Sequence, residues 1–442
     1  MKRQLHFNVF VMNRGHHESA WRHPEAEKMP STDFGVYQWI AKTAEKGLLD
    51  SIFIADALSL TPDIALQSIN WCEPLTTLGA LSVTTENIGL IATASTTYSE
   101  PYNLARQFSS VDRMSGGRVG WNIVTSWAAS AAKNFGDGKM MGHDERYVRA
   151  EEYLQVMKAL WSSWADDAII NDPKKGIYLD ADKIKPINHH GEYYYVDGPL
   201  NLPRSEQGHP VLVQAGSSPA GRQFASRHAE AIFNVSPDKA PAQEFYKDLK
   251  SRIKAQGRRP EQTLILPGMS AIIGGTEKEA HDVADELGEL LDLEVGLRRL
   301  SNRFGGYDFS HLPLAEPLSV DDFPDPETVE TVRSRTEVMV GMVRRERLTM
   351  RQLIKKMSIS RGHLSLIGTP EQIADEIEDW FTDGAADGFN FMPSLMPVML
   401  EAFVDQVIPI LQKRGLFRTE YTGNTLRDHY GLERPKSWFD QD

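Results

Sequence analysis

The sequence predicts an α/β fold, a closed (β/α)8 barrel with insertions, on three observations. Short β-branched runs alternate with longer amphipathic runs through eight steps, the pattern of successive right-handed β-α-β crossovers. The strand runs end in polar residues (Asp56, Ser95, Thr125, Ser126, Gln214), where a barrel places its catalytic face. No internal repeat, low-complexity tract or long linker divides the 442 residues, so 1–442 reads as one domain. An open doubly wound sheet of similar length is the structural alternative.

The elements follow in order. Leu5 to Met12 reads as the first strand and Phe34 to Lys46 as a helix stopped by Gly47. Asp50 to Ala55, Ile88 to Ser95 and Arg118 to Val124 are strands two to four. Pro74 to Thr84, Pro101 to Met114 and Tyr147 to Trp161 are the helices after them, two opening on a proline whose missing N–H costs nothing there. The rhythm pauses over about 166–208, a first insertion with a strand-like run at Glu192 to Val196. Pro210 to Ala215, Ala231 to Asn234 and Leu264 to Ile273 are strands five to seven, and Lys278 to Leu291 carries the seventh helix. A second insertion spans about 296–358, a candidate lid with Gly305-Gly306 as hinge. Pro370 to Phe381 is a helix, Gly388 to Met392 the eighth strand, and Leu400 to Lys413 the closing helix. The polar tail, about 418–442, is expected to wrap the surface.

Composition narrows the function classes. The chain is 41% hydrophobic and 25% charged, an ordinary globular balance, with a net charge of -13 that disfavours nucleic acid and anionic membranes. One cysteine, Cys72, excludes an intramolecular disulfide and a thiolate zinc cage, and fits a cytoplasmic location. The N-terminus is broken by polar residues and lacks a signal-peptide core. No apolar run approaches the ~20 residues that span a bilayer.

Four segments carry candidate chemistry. Pro210 to Arg222 runs from a strand through Gln214-Ala215-Gly216-Ser217-Ser218 into a helix starting near Pro219. The free N–H groups of a first helical turn, with a close-approach glycine and two hydroxyls, form a phosphate cradle; a plain serine N-cap explains the segment equally well. Phosphate sites in barrels commonly follow strands seven and eight, whereas this turn follows strand five. His143 and Tyr147 lie four apart at a helix start and share a face toward an anion; capping by Asp144 is the blander reading. Asp56 ends strand two, as a ring N–H acceptor, a base or a loop cap. His16, His17 and His23 follow strand one without metal-triad spacing, so surface histidines are the default and no metal is expected. No G-x-S-x-G elbow, Walker A sequence or G-x-G-x-x-G after a strand is present.

Taken together, Ile54-Ala55-Asp56, Ala94 to Tyr102, Ser115 to Ser126, His143 to Tyr147, Gln214 to Ser218 and Ile367 to Pro370 resemble the nitrilotriacetate, long-chain alkane and dibenzothiophene sulfone monooxygenase branch of the bacterial-luciferase-like flavin monooxygenases. The resemblance runs from Phe7 to about Leu432. It implies a TIM barrel, an FMN-dependent oxygenase component, and reduced FMN supplied by diffusion from a separate NAD(P)H:flavin reductase. O2 then delivers one oxygen atom to a small organic substrate, such as an aminopolycarboxylate or an organosulfur compound. By motif, Asp56 and Thr93 lie near the isoalloxazine, Ser126 and Trp127 line it, and His143, Tyr147 and Ser218 hold the phosphate with Ser217 beside it. His17 is expected to handle a proton. Arg14 and Trp127 depart from the alkane enzyme's cysteine and histidine, against a long-chain alkane; with His16, His17 and Arg22, Arg14 is a candidate carboxylate attractor. The resemblance also implies a homodimer or homotetramer. The alternatives are a deazaflavin-dependent dehydrogenase of the same superfamily and a non-catalytic flavin-binding barrel.

Overall fold

The computed structural model describes residues 3–30, 32–60, 64, 68–126, 128–136, 138–325 and 333–440. Eight parallel strands close into a barrel: β1 His6–Phe10, β2 Ser51–Ile54, β3 Gly89–Ser95, β4 Val119–Val124, β5 Val211–Gln214, β6 Ala231–Asn234, β7 Leu264–Ile273 and β8 Gly388–Phe391. Each pairs with the next, and β8 returns to β1. Side chains alternate across this wall. Phe7, Val9, Ile52, Leu90 and Trp121 face the helical ring, and Phe53, Ile91, Val211, Val213 and Leu266 fill the barrel. Such strands are buried on both faces, which is why they read as nearly continuous apolar runs.

Boundaries moved where tertiary contacts override local pattern. The helix after β4, expected from Tyr147, begins at His143, with acidic Asp144 and Glu145 in its first turn and favourable to the N-terminal dipole. β7 is ten residues long because it serves two pairings: its first half closes the barrel, and Met269–Ile273 pairs with an unanticipated strand, Leu364–Gly368. The stretch 166–208 forms two small hairpins, and only Tyr195–Val196 of its expected strand is extended pairing. Within 296–358, Phe304, Phe309, Met339, Val343 and Leu353 build a separate apolar core. Gly305 and Gly306 both have positive φ.

The tail corrects its expected role. Instead of wrapping the surface it seals the N-terminal end of the barrel. Leu426 and Tyr430 are buried inside it, and Gly89 makes room, since a Cβ there would lie 2.5 Å from Leu426 Cδ1. Arg418 pairs with buried Asp50, and Arg427 holds Glu230 through bonds of 2.6 and 3.0 Å. The apolar plug is two residues four apart in a polar stretch, too sparse to read as core. No helix among the described residues is long and apolar enough to cross a membrane.

Candidate functional site at the C-terminal mouth

Most of the anticipated residues converge on one arc of the mouth, above β2 to β5. Thr93 projects from β3 beside its register partner Asn122 of β4, whose Nδ2 donates to Thr93 Oγ1 at 2.8 Å. Both are buried, and Asn122 Oδ1 has no partner. An orphaned buried acceptor is costly unless something donates to it, so this pair presents polar capacity to whatever fills the barrel mouth.

Ser126 follows β4 at φ +44°, a strained conformation for a residue with a Cβ. It is over-determined: Ser126 Oγ donates to Ser95 Oγ at 2.7 Å, and the Arg146 guanidinium donates to the carbonyls of Ser126 and Thr125. Arg146 is the residue sequence reading missed. It lies inside His143-Asp144-Glu145-Arg146-Tyr147, and burial lowers its pKa. Asp56, after β2, reaches solvent, yet the wall around it raises its carboxyl pKa by desolvation, opposed by the 2.8 Å bond from Ala57 N–H. Trp127 lies outside the described residues.

The turn after β5 leads straight into a capped helix start. Ser218 is the N-cap of the helix Pro219–His228, its Oγ accepting from Gly221 N–H at 3.1 Å. Accepting that bond leaves the hydroxyl hydrogen to point outward, so the cap and the anion donor are compatible. A Cβ at Gly221 would lie 3.0 Å from Tyr147 Oη and 3.2 Å from Gly216 Cα. Only a glycine there lets the tyrosine hydroxyl, the turn and the helix start meet. Ser217 is held beside Ser218 by Arg222 Nε donating to its carbonyl at 2.9 Å. His143 stands one turn from Tyr147, ring centroids 5.3 Å apart, exposed and bonded to Asp144 at 2.8 Å. Both helix starts thus face the same space, which suits a phosphate: backbone donors, hydroxyls and dipoles of one sign.

The histidines after β1 correct the surface default. His16 is 1% and His17 3% exposed. Burial lowers His16 to about 3, helped by Arg361, and its ring nitrogen Nε2 bonds the Phe10 carbonyl at 2.8 Å. His17 falls to about 4 by burial, against the pull of Glu18. Its ring bonds Ser19 Oγ at 2.9 Å and Ser358 Oγ at 3.2 Å, tying the first loop to the second insertion. Arg14 donates to the Ala26 carbonyl and Arg22 to the Leu290 carbonyl. His16 and His17 are therefore neutral near pH 7 and do not add cationic charge to a carboxylate attractor there. No cluster of metal-ligating side chains occurs among the described residues.

A parallel barrel whose C-terminal mouth joins a serine turn and two helix starts to a polar arc has the build of a ligand-binding barrel. The chain belongs to the luciferase-like monooxygenase family, whose model matches residues 9–387. It is 46% identical over 434 residues to N-acetyl-S-(2-succino)cysteine monooxygenase of Bacillus subtilis (strain 168), covering 98% of both chains. It is 42% identical to nitrilotriacetate monooxygenase component A of Aminobacter aminovorans, again over 98% of each. A crystal structure of riboflavin lyase with modified FMN and riboflavin superposes with a TM-score of 0.83, at 31% identity, covering 98% of this chain and 96% of that one. The chain is thus a monooxygenase, and the family's cofactor is a flavin.

Proposed function

We propose that this chain is the oxygenase component of a two-component monooxygenase, taking reduced FMN from a separate NAD(P)H:flavin reductase and using O2 to oxygenate a small organic substrate. The observation that carries the reading is the Gly216–Ser218 turn meeting Tyr147 across Gly221, a seat suited to a flavin phosphate. Ser217, Ser218, Tyr147 and His143 would hold that phosphate. Asp56, Thr93 with Asn122, Ser126 and Trp127 would orient the ring system over the barrel. Bound there, reduced FMN supplies the electrons that activate O2. The protein's own part is orientation and exclusion of water by the apolar wall. A catalytic His17 would act as a neutral imidazole between Ser19 and Ser358. His17→Gln with unchanged kcat would remove it from the reaction.

The relative named for nitrilotriacetate favours an aminopolycarboxylate, and the one named for a succinylated cysteine an organosulfur acid. Single-turnover reactions with reduced FMN, O2 and a panel of amines, thioether acids and sulfones test the proposal. Incorporation of one atom from labelled O2 into a panel member is expected. Peroxide release alone with every substrate, or binding of deazaflavin in preference to FMN, would overturn it.

A further inference from the structure

Away from the mouth, three side chains on the helical ring are arranged around an amine. Lys158 lies on the helix His143–Trp161, and His228 ends the neighbouring helix Pro219–His228. Lys158 Nζ stands 3.2 Å from Nδ1 of His228, whose Nε2 lies 2.6 Å from Glu151 Oε1. The carboxylate fixes the tautomer: Nε2–H donates to Glu151, so Nδ1 carries the lone pair and Lys158 donates to it. That is the one hydrogen bond Nζ makes among the described residues, and Lys158 forms no ion pair with a carboxylate there. An ammonium has three donors to satisfy; this half-buried site offers one acceptor and so favours the neutral amine. The charged groups facing Lys158 are Glu230, Arg258, Glu151 and Arg427, of both signs, and burial outweighs them, drawing its pKa down to about 8. Burial lowers His228 too, against the bond to Glu151.

A nucleophile, a base within reach of its proton and a carboxylate orienting that base are the parts of nucleophilic catalysis, here with an amine as the nucleophile. Glu151 opens on a groove lined also by Gln155, Gln223, Phe224 and Arg227. Arg227, 3.6 Å from Glu151, sets a guanidinium at the edge of the groove, matched to a phosphate anion. We propose that Lys158 is a site of covalent acylation by small acyl phosphates, with His228 as the base and Glu151 holding it in place. The neutral Nζ forms a bond to the acyl carbon, the acyl C–O bond breaks, and phosphate leaves with the electron pair. The amine proton passes to His228 Nδ1 and from there to water, leaving Lys158 as an uncharged amide. This step is independent of the flavin chemistry at the mouth.

Peptide mapping by mass spectrometry, after the full chain has been exposed to acetyl phosphate, tests this. Near neutral pH the acetylation of Lys158 should outpace that of exposed Lys174 about tenfold. Its rate should climb with pH and level off above about 8, where the amine is fully neutral. His228→Gln removes the base and should slow Lys158 about fivefold or more, with the Lys174 rate and the circular dichroism unchanged. Glu151→Gln keeps the shape but not the charge behind the imidazole and should slow it about twofold to fivefold; if His228→Gln does not fold, this variant decides. Acetylation of Lys158 no faster than that of Lys174 would overturn the proposal, as would a Lys158 rate that neither variant moves.

Discussion

The two ends of this barrel are built on opposite principles. At the N-terminal end Leu426 and Tyr430 plug the interior, a buried ion pair joins Arg418 to Asp50, and a part-buried one joins Arg427 to Glu230. At the C-terminal mouth the same strands end in hydroxyls, amides and a carboxylate, with an orphaned amide oxygen at Asn122 and positive φ at Ser126. One end is closed by apolar packing and ion pairs, and the other ends its strands in polar side chains around an open mouth, the division expected where one end supports stability and the other carries ligands. A barrel built this way separates folding from function by direction along its strands, so substitutions at the two ends should move different observables.

Acid should have the largest effect and act at both ends. Burial holds His16 at about 3 and His17 at about 4 near the mouth, and His209 at about 3 and His429 at about 4 near the base. Their ordinary value is 6.5. Because the folded values are depressed, the unfolded chain takes up protons first. The stability these histidines contribute is present above 6.5 and lost as pH falls toward 3 to 4. Melting temperature should drop steadily below pH 6.5, and His209→Gln should flatten that decline; an unchanged profile would break the assignment.

Arg427→Ala comes next. It leaves part-buried Glu230 without its main partner, which costs up to about 3 kcal/mol, the low end for breaking a buried pair; chemical denaturation should show the loss while the KM for reduced FMN of the remaining folded protein stays near wild type. At the mouth the pattern should invert. Tyr147→Phe removes one hydroxyl from the cradle and should raise that KM about tenfold, as for a hydrogen bond to a charged group, with stability unchanged in melting experiments. Gly221→Ala should also raise KM, because the added Cβ crowds Tyr147 Oη and Gly216, while its better helix propensity offsets part of any stability cost. The smallest effect is expected for exposed His143→Ala, a few-fold rise in KM seen in the same titration. A mouth substitution that chiefly lowered the melting temperature would blur the distinction between the ends.

Much of the barrel was legible because its strands are buried on both faces and announce themselves as β-branched runs. The (β/α)8 order, the Gln214–Ser218 turn and the two insertions could be read from local pattern, since period, turn chemistry and helix starts are properties of neighbours in sequence. Three things were not. The tail reads as solvent-facing because only Leu426 and Tyr430 of it enter the barrel. Arg146 reads as an ordinary helical arginine until the strained Ser126 carbonyl is seen above it. His16 and His17 read as surface residues because nothing local reveals that the second insertion meets His17 through Ser358 and that Arg361, just beyond it, comes near His16. The fold class, the order of the barrel strands and the residues of the Gln214–Ser218 turn follow from local pattern alone. Which end is sealed, which histidines are neutral and which side chains meet at Gly221 emerge only on folding, because burial and desolvation arise from contacts between residues far apart in the chain.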